Sequence, residues 1–165
     1  MASNKLIEFS FLLSTLLSGF YAGTGFFVAM GGNPALKLMS DSTFAEYWQH
    51  TDHFMAERMK IFGPLLMLTL LFGIIVLLKE YRTISFWFMV AALTILILDV
   101  IFIFSTNHPL NHVVQSWDLN HLPPNVQDVK WQIVNAFRVR AIFMIGSFIM
   151  VLLSMFFYKT RHYVI

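Results

Sequence analysis

Residues 84–105, ISFWFMVAALTILILDVIFIFS, decide the fold. The run is long enough to cross a bilayer, whose hydrocarbon core takes about 20 helical residues at about 1.5 Å each. It carries one charge, Asp99. Backbone groups in lipid must be satisfied within their own segment, and the run shows no strand-like alternation, so it is a helix. Three further runs qualify on the same grounds: residues 6–30, 61–78 with a helical extension from 44, and 141–158. The chain has 165 residues, 58% hydrophobic and 12% charged, with 18 Phe. Its mean hydropathy is +0.68, far outside soluble-domain composition. The first run is too long and too rich in Gly and Phe for a cleavable signal peptide and reads as a retained span. The expected fold is all-α, an integral membrane four-helix bundle, with residues 1–165 forming a single membrane domain.

The absence of Cys excludes disulfides, iron-sulfur clusters and thiolate metal sites. A net charge of +2, spread along the chain, gives no nucleic-acid surface. Lys5, Lys79, Arg82, Lys159 and Arg161 gather on one side of the spans. On the other, Lys37 and Lys130 are diluted by Asp41, Asp118 and Asp128. The positive-inside rule then puts both termini and the loop 79–83 in the cytoplasm and the two long loops outside. The expected location is the inner or plasma membrane, multi-pass, with any site facing outward.

Within the helices, Gly19-x-x-x-Gly23 allows a close helix approach. Gly31-Gly32-Asn33-Pro34 reads as a turn that ends the first helix. The second helix is expected to start at an N-cap among Asp41, Ser42 and Thr43, with Gly63-Pro64 as a kink. Glu46, His50, His53, Glu57 and Lys60 recur at four and three residues, which puts all five on one helix face. Lys60 lies 19 residues from Lys79, Asp99 lies 17 from Arg82, and Arg140 lies 19 from Lys159. The three therefore share a layer roughly 25 to 29 Å from the inner anchors, level with residues 22–24 of the first helix. An acid buried in lipid is expensive, so Asp99 is expected to face inward and pair with Lys60 or Arg140.

The long polar segment 105–140 and the stripe 46–60 hold the candidate chemistry. His50, His53 and Glu57 can present ligands from one helical face, and His108 and His112 can add imidazoles if Pro109 opens a short helix. Such a set suits zinc, iron, copper or a haem. The competing reading makes these interfacial residues in contact with water. Asn107, Asn111, Trp131, Asn135 and Arg138 likewise read either as a pocket for an enolate, phenolate or carboxylate, or as loop-satisfying and interface-anchoring groups.

The segment Thr106-Asn107-His108-Pro109-Leu110-Asn111, with Trp117 after it and then Trp131-x-x-x-Asn135-x-x-Arg138, resembles the anthrone-oxygenase-like family of small four-helix membrane proteins. That resemblance implies an oxygenase without an established organic cofactor, in which Asn107, Asn111, Trp131 and Asn135 line a substrate pocket alongside Arg138. His53 or His108 would remove a proton next to a carbonyl. The His50, His53 and Glu57 face departs from the family pattern and leaves room for a metal. The expectation is thus a membrane oxidoreductase acting on an aromatic or quinol-type small molecule, in contact with lipid and open to homo-oligomer formation. The alternative is a non-catalytic protein that binds metal, haem or lipid, or a subunit of a membrane complex. A transporter is disfavoured, because four spans leave little room for alternating access unless copies assemble.

Overall fold

The computed structural model describes residues 4–163, and over them the chain is helical with short connections. Helix α1 (Asn4–Phe27) passes through a π-helical turn (Val28–Gly32) into α2 (Asn33–Leu38). Then come α3 (Asp41–Val76), a 3₁₀ turn (Leu78–Glu80) and α4 (Ile84–Phe102). A second π turn (Ile103–Asn107) leads into α5 (His108–Gln115), and α6 (Val126–Tyr163) closes the chain. Four stretches are long and apolar enough to cross a membrane: Lys5–Leu38, Asp41–Val76, Ile84–Gln115 and Val126–Arg161. The protein is a multi-pass integral membrane four-helix bundle. At 32 to 36 residues these stretches run about 48 to 54 Å, well beyond a hydrocarbon core of about 30 Å.

Helix α6 packs between α1 and α4, and α3 closes the square on the opposite corner. Small residues set the close approaches. The Ser85 hydroxyl donates to the Ser154 carbonyl at 2.8 Å, and the Ser154 hydroxyl returns a bond to the Ser85 carbonyl at 2.8 Å. One pair of serines thereby locks α4 to α6 at two points, and Ser147 repeats the contact at the Ala92 carbonyl, 2.9 Å. On α1 the tight position is Gly25, where a Cβ would stand 3.0 Å from Met144 and 3.3 Å from the Ala141 backbone. Gly19 meets only Phe148 at 3.5 Å and Gly23 meets nothing, so the expected Gly19/Gly23 approach shifts to Gly25.

Two helix-boundary expectations are corrected. Gly31-Gly32-Asn33-Pro34 does not end the first helix, because Pro34 falls in the first turn of α2, where a missing N–H costs little. The π turn absorbs the mismatch, with the Asn33 N–H reaching back to the Val28 carbonyl. Pro109 enters α5 in the same way behind the second π turn, where the His108 N–H bonds the Ile103 carbonyl. Pro64 lies inside α3 without breaking it. The α3 cap is Ser40, one residue before the expected range, its hydroxyl accepting the Thr43 N–H at 3.2 Å.

Two apolar cores stack along the bundle. One, within the spans, gathers Phe11, Tyr21, Leu66, Leu70, Met89, Leu96, Met144 and Val151. The other, at the end carrying the long loops, gathers Leu36, Phe44, Trp48, Val114, Val126, Ile133 and Val134. Hydrophobic burial on this scale, at about 25 cal/mol per Å², fixes the helix faces, and the polar groups sit where the two cores meet.

Candidate functional site

Asp99, wholly buried on α4, is held from two helices at once. The Tyr21 hydroxyl of α1 donates to Asp99 Oδ2. Arg140 of α6 donates from Nε to Asp99 Oδ1 at 3.1 Å and from Nη2 to the Tyr21 oxygen at 3.1 Å. The Arg140 side chain is 11% exposed, and its guanidinium lies over the Phe137 ring, 5.1 Å from the centroid. From α3 the layer receives Phe62, whose ring stands 6.4 Å from that of Tyr21. A desolvated ion pair is tolerable only when its remaining hydrogen-bonding capacity is met, and here the phenol closes the triangle by donating to one partner and accepting from the other. Lys60 is exposed, and of the two expected partners it is Arg140 that pairs with Asp99. Tyr21 had no place in the expected site, although it directly precedes the turn at residues 22–24 expected at this height.

A second polar level lies above it. Asn107 is 2% exposed, and neither its Oδ1 nor its Nδ2 meets a partner among the described residues. Asn33, also buried, donates from Nδ2 to the Val134 carbonyl at 3.0 Å, while its Oδ1 meets none. Asn107 ends one π turn and Asn33 follows the other, and such a turn takes up one residue more than an α turn. Counting that residue out, Asn107 falls two turns above Asp99 and Asn33 three turns above Tyr21, each within about 20° of the same face. Four residues on, Asn111 accepts from Trp48 Nε1 at 3.1 Å and donates to Asp52. Gln49 caps the end of α5 at the Val114 and Trp117 carbonyls, 2.9 and 3.0 Å, and Gln115 donates to Asp52 at 3.2 Å. Trp48 also meets the Phe137 ring edge-on at 5.2 Å. Contacts thus run unbroken from Asn111 through Trp48 and Phe137 to Arg140.

The remaining expected site residues scatter. His50, His53 and Glu57 lie on the exposed face of α3, because Phe44, Ala45 and Trp48 turn the opposite face into the core. His108 and His112 stack edge-to-face at 4.4 Å, both exposed. Among the described residues no three His, Asp or Glu come together to hold a metal ion. Trp131, Asn135 and Arg138 share the exposed face of α6, with Lys37 over the Trp131 ring at 5.0 Å. The five residues expected around one pocket therefore divide, Asn107 and Asn111 toward the bundle and the α6 trio away from it. Lys130, which the sequence places among the loop charges, is 3% exposed and ties α6 to the α2–α3 connection through the Met39 carbonyl at 2.9 Å. In the loop before α6, Asp118 accepts the Asn120 N–H at 2.9 Å and faces His121 at 3.3 Å. The first of these bonds, aided by the second, holds its carboxyl below the usual carboxylate range.

Compared with known families, the chain matches the model of the sulfate permease family over residues 6–165. No curated protein and no solved structure matches it. The family match overturns the resemblance to the anthrone-oxygenase-like family, and with it the oxidoreductase, oxygenase and metal-binding readings. The misleading signal was a spacing of Asn, Trp and Arg whose members the fold sends to different faces. The family is one of transporters, the class that the span count had disfavoured.

Proposed function

We propose that this chain, which belongs to the sulfate permease family, moves a small inorganic oxyanion across the membrane, with Arg140 as the cation the anion meets. The observation that carries the reading is the state of the Arg140 guanidinium. Nε and Nη2 are committed to Asp99 and Tyr21, and Nη1 bonds no described group. A guanidinium is a planar fork of donors matched to the paired oxygens of a tetrahedral oxyanion, and it stays charged at every working pH. Its place between the two cores, at the floor of the part that extends beyond the spans, suits an anion arriving from the long-loop end. Asp99 beside it tempers the attraction. A transported ion must bind well enough to enter and weakly enough to leave, and a fixed carboxylate sharing the same cation serves that end.

Four spans leave little room for one chain to alternate its access, so the reading includes association of several copies. The substrate it implies is hydrophilic and anionic, not the hydrophobic small molecule expected beforehand.

The test is uptake of radiolabelled sulfate into proteoliposomes containing the wild type, Arg140→Gln or Glu57→Gln. The reading expects uptake above protein-free vesicles, lost in Arg140→Gln and kept in Glu57→Gln, whose side chain lies on the exposed face of α3. Wild-type vesicles no better than protein-free ones, or a folded Arg140→Gln that transports normally, would overturn it.

A further inference from the structure

The end of the bundle opposite the long loops holds two crevices that share Tyr158 as a wall. The larger, about 500 Å³, opens between α1 and α6 and is lined by Glu8, Phe11, Leu12, Met155, Tyr158 and Lys159. The smaller, about 300 Å³, lies between the start of α4 and the end of α6, beside the Arg161–Glu80 ion pair of 3.0 Å. Neither belongs to the polar layer.

The larger crevice is graded along the membrane normal. Lys159 and Glu8 stand at the level of the basic anchors, whereas Met155 lies one turn, about 6 Å, deeper along α6. Leu12 lies about 10 Å beyond Lys5 along α1, deep in the apolar level. That is the depth over which a phospholipid passes from headgroup to acyl chain. The apolar wall then continues as a track, because Leu12, Leu16 and Phe20 recur every four residues on α1 and all are exposed, Leu12 by 63%. Around this end stand Lys5, Lys79, Arg82, Lys159 and Arg161 against only Glu8 and Glu80. The end as a whole attracts negative charge, and each basic residue near a bilayer surface strengthens attachment to anionic lipid.

We propose that the crevice between α1 and α6 binds one phospholipid with a net negative headgroup, its phosphate against Lys159 and an acyl chain against Phe11, Leu12 and Met155. Glu8 at the rim leaves too little local positive charge to hold a soluble phosphate, so the apolar wall is essential to binding. This site is independent of the transport reading and would stand if that reading fell.

The experiment follows thermal unfolding of the purified protein in detergent by Trp fluorescence, with added phosphatidylglycerol, phosphatidylcholine or inorganic phosphate. Phosphatidylglycerol is expected to raise the unfolding temperature saturably, phosphatidylcholine to act several-fold more weakly, and inorganic phosphate to do nothing. Lys159→Gln, on an exposed side chain, should weaken half-saturation by phosphatidylglycerol about fivefold. Met155→Trp, which fills the crevice, should weaken the response to phosphatidylglycerol further. Leu12→Asn, on the exposed wall, is the second variant should the tryptophan hinder folding, and it should act in the same direction. Equal responses to the two lipids that Lys159→Gln leaves unchanged would overturn the site in favour of unspecific solvation. A shift produced by inorganic phosphate alone would overturn the lipid in favour of a soluble anion.

Discussion

The Tyr21–Asp99–Arg140 triangle makes a graded prediction. Arg140→Met leaves Asp99 wholly buried with the Tyr21 hydroxyl as its one remaining donor among the described residues. Removing one member of a buried ion pair costs about 3–5 kcal/mol, because the other stays desolvated without compensation. Asp99→Leu strands the guanidinium instead, but Arg140 is 11% exposed and sits at the upper edge of the spans. It can extend toward the long-loop end, so the expected cost falls to about 2–3 kcal/mol. The double variant Asp99→Leu/Arg140→Met removes both charges. Apolar replacement of a whole buried pair is often close to neutral, which leaves mainly the orphaned Tyr21 hydroxyl at about 1–3 kcal/mol. Adding Tyr21→Phe removes that orphan and should bring the triple variant to within about 1 kcal/mol of wild type. Urea unfolding in detergent micelles, read by Trp fluorescence, gives the four values. The pairwise coupling between positions 99 and 140 should come out at about 4–5 kcal/mol. If the single costs simply add, and the triple variant is the least stable of all, the layer is not held by mutual charge compensation and the argument fails.

Three further predictions follow from local geometry. Asn107→Leu should leave stability unchanged or raise it, since its amide meets no partner among the described residues, whereas Asn111→Leu should cost about 1–3 kcal/mol by orphaning Trp48 Nε1 and Asp52; the reverse order in unfolding midpoints would refute this. Gly25→Ala should cost about 1–3 kcal/mol against Met144 and the Ala141 backbone, while Gly23→Ala, with open space around its Cβ, should be neutral or stabilising by up to about 1 kcal/mol, both read from thermal midpoints. The Asp118 carboxyl is held below its ordinary range in the folded loop, so its bonds stabilise the turn above the unfolded carboxylate value and are lost as pH falls through the lower folded value. The Asn120 amide resonance should therefore move on acidification in the wild type and stay still in Asp118→Asn.

The spans were legible because composition and length act through a single term, the cost of unpaired backbone in lipid. Counting outward from the basic anchors also brought Asp99 and Arg140 to one height, since helical rise is nearly constant. Facing was harder to read than height. Two polar patterns interleave on α3, and the more charged one, Glu46 to Lys60, is the one that faces out. Burial follows the Phe44–Ala45–Trp48 ridge, which carries Gln49 and Asp52 inward beside it. Tyr21 was hidden because a tyrosine in an apolar helix resembles any interfacial aromatic until its partner is known. The Gly-Gly-Asn-Pro stop failed because proline excludes only the helix interior, and a π turn can place it at a new first turn. Function was least legible of all. Residues spaced like a motif point together only if one face carries them, and α6 turns Trp131, Asn135 and Arg138 outward while the second π turn and α5 keep Asn107 and Asn111 within.

The π turns explain how these polar levels can stand in line. In an uninterrupted α-helix, Asn107 would be rotated about 80° from Asp99, and Asn111 about 120°. The extra residue in Ile103–Asn107 brings both asparagines back to within about 20° of the Asp99 face. The same correction at Val28–Gly32 brings Asn33 over Tyr21. Two helices on opposite corners thus carry the same irregularity, in each case just before a proline and just above a member of the buried triangle. A device that costs regular hydrogen bonds in both places is accounted for if its role is to keep polar side chains aligned above Arg140, which is what an anion descending from the long-loop end would require.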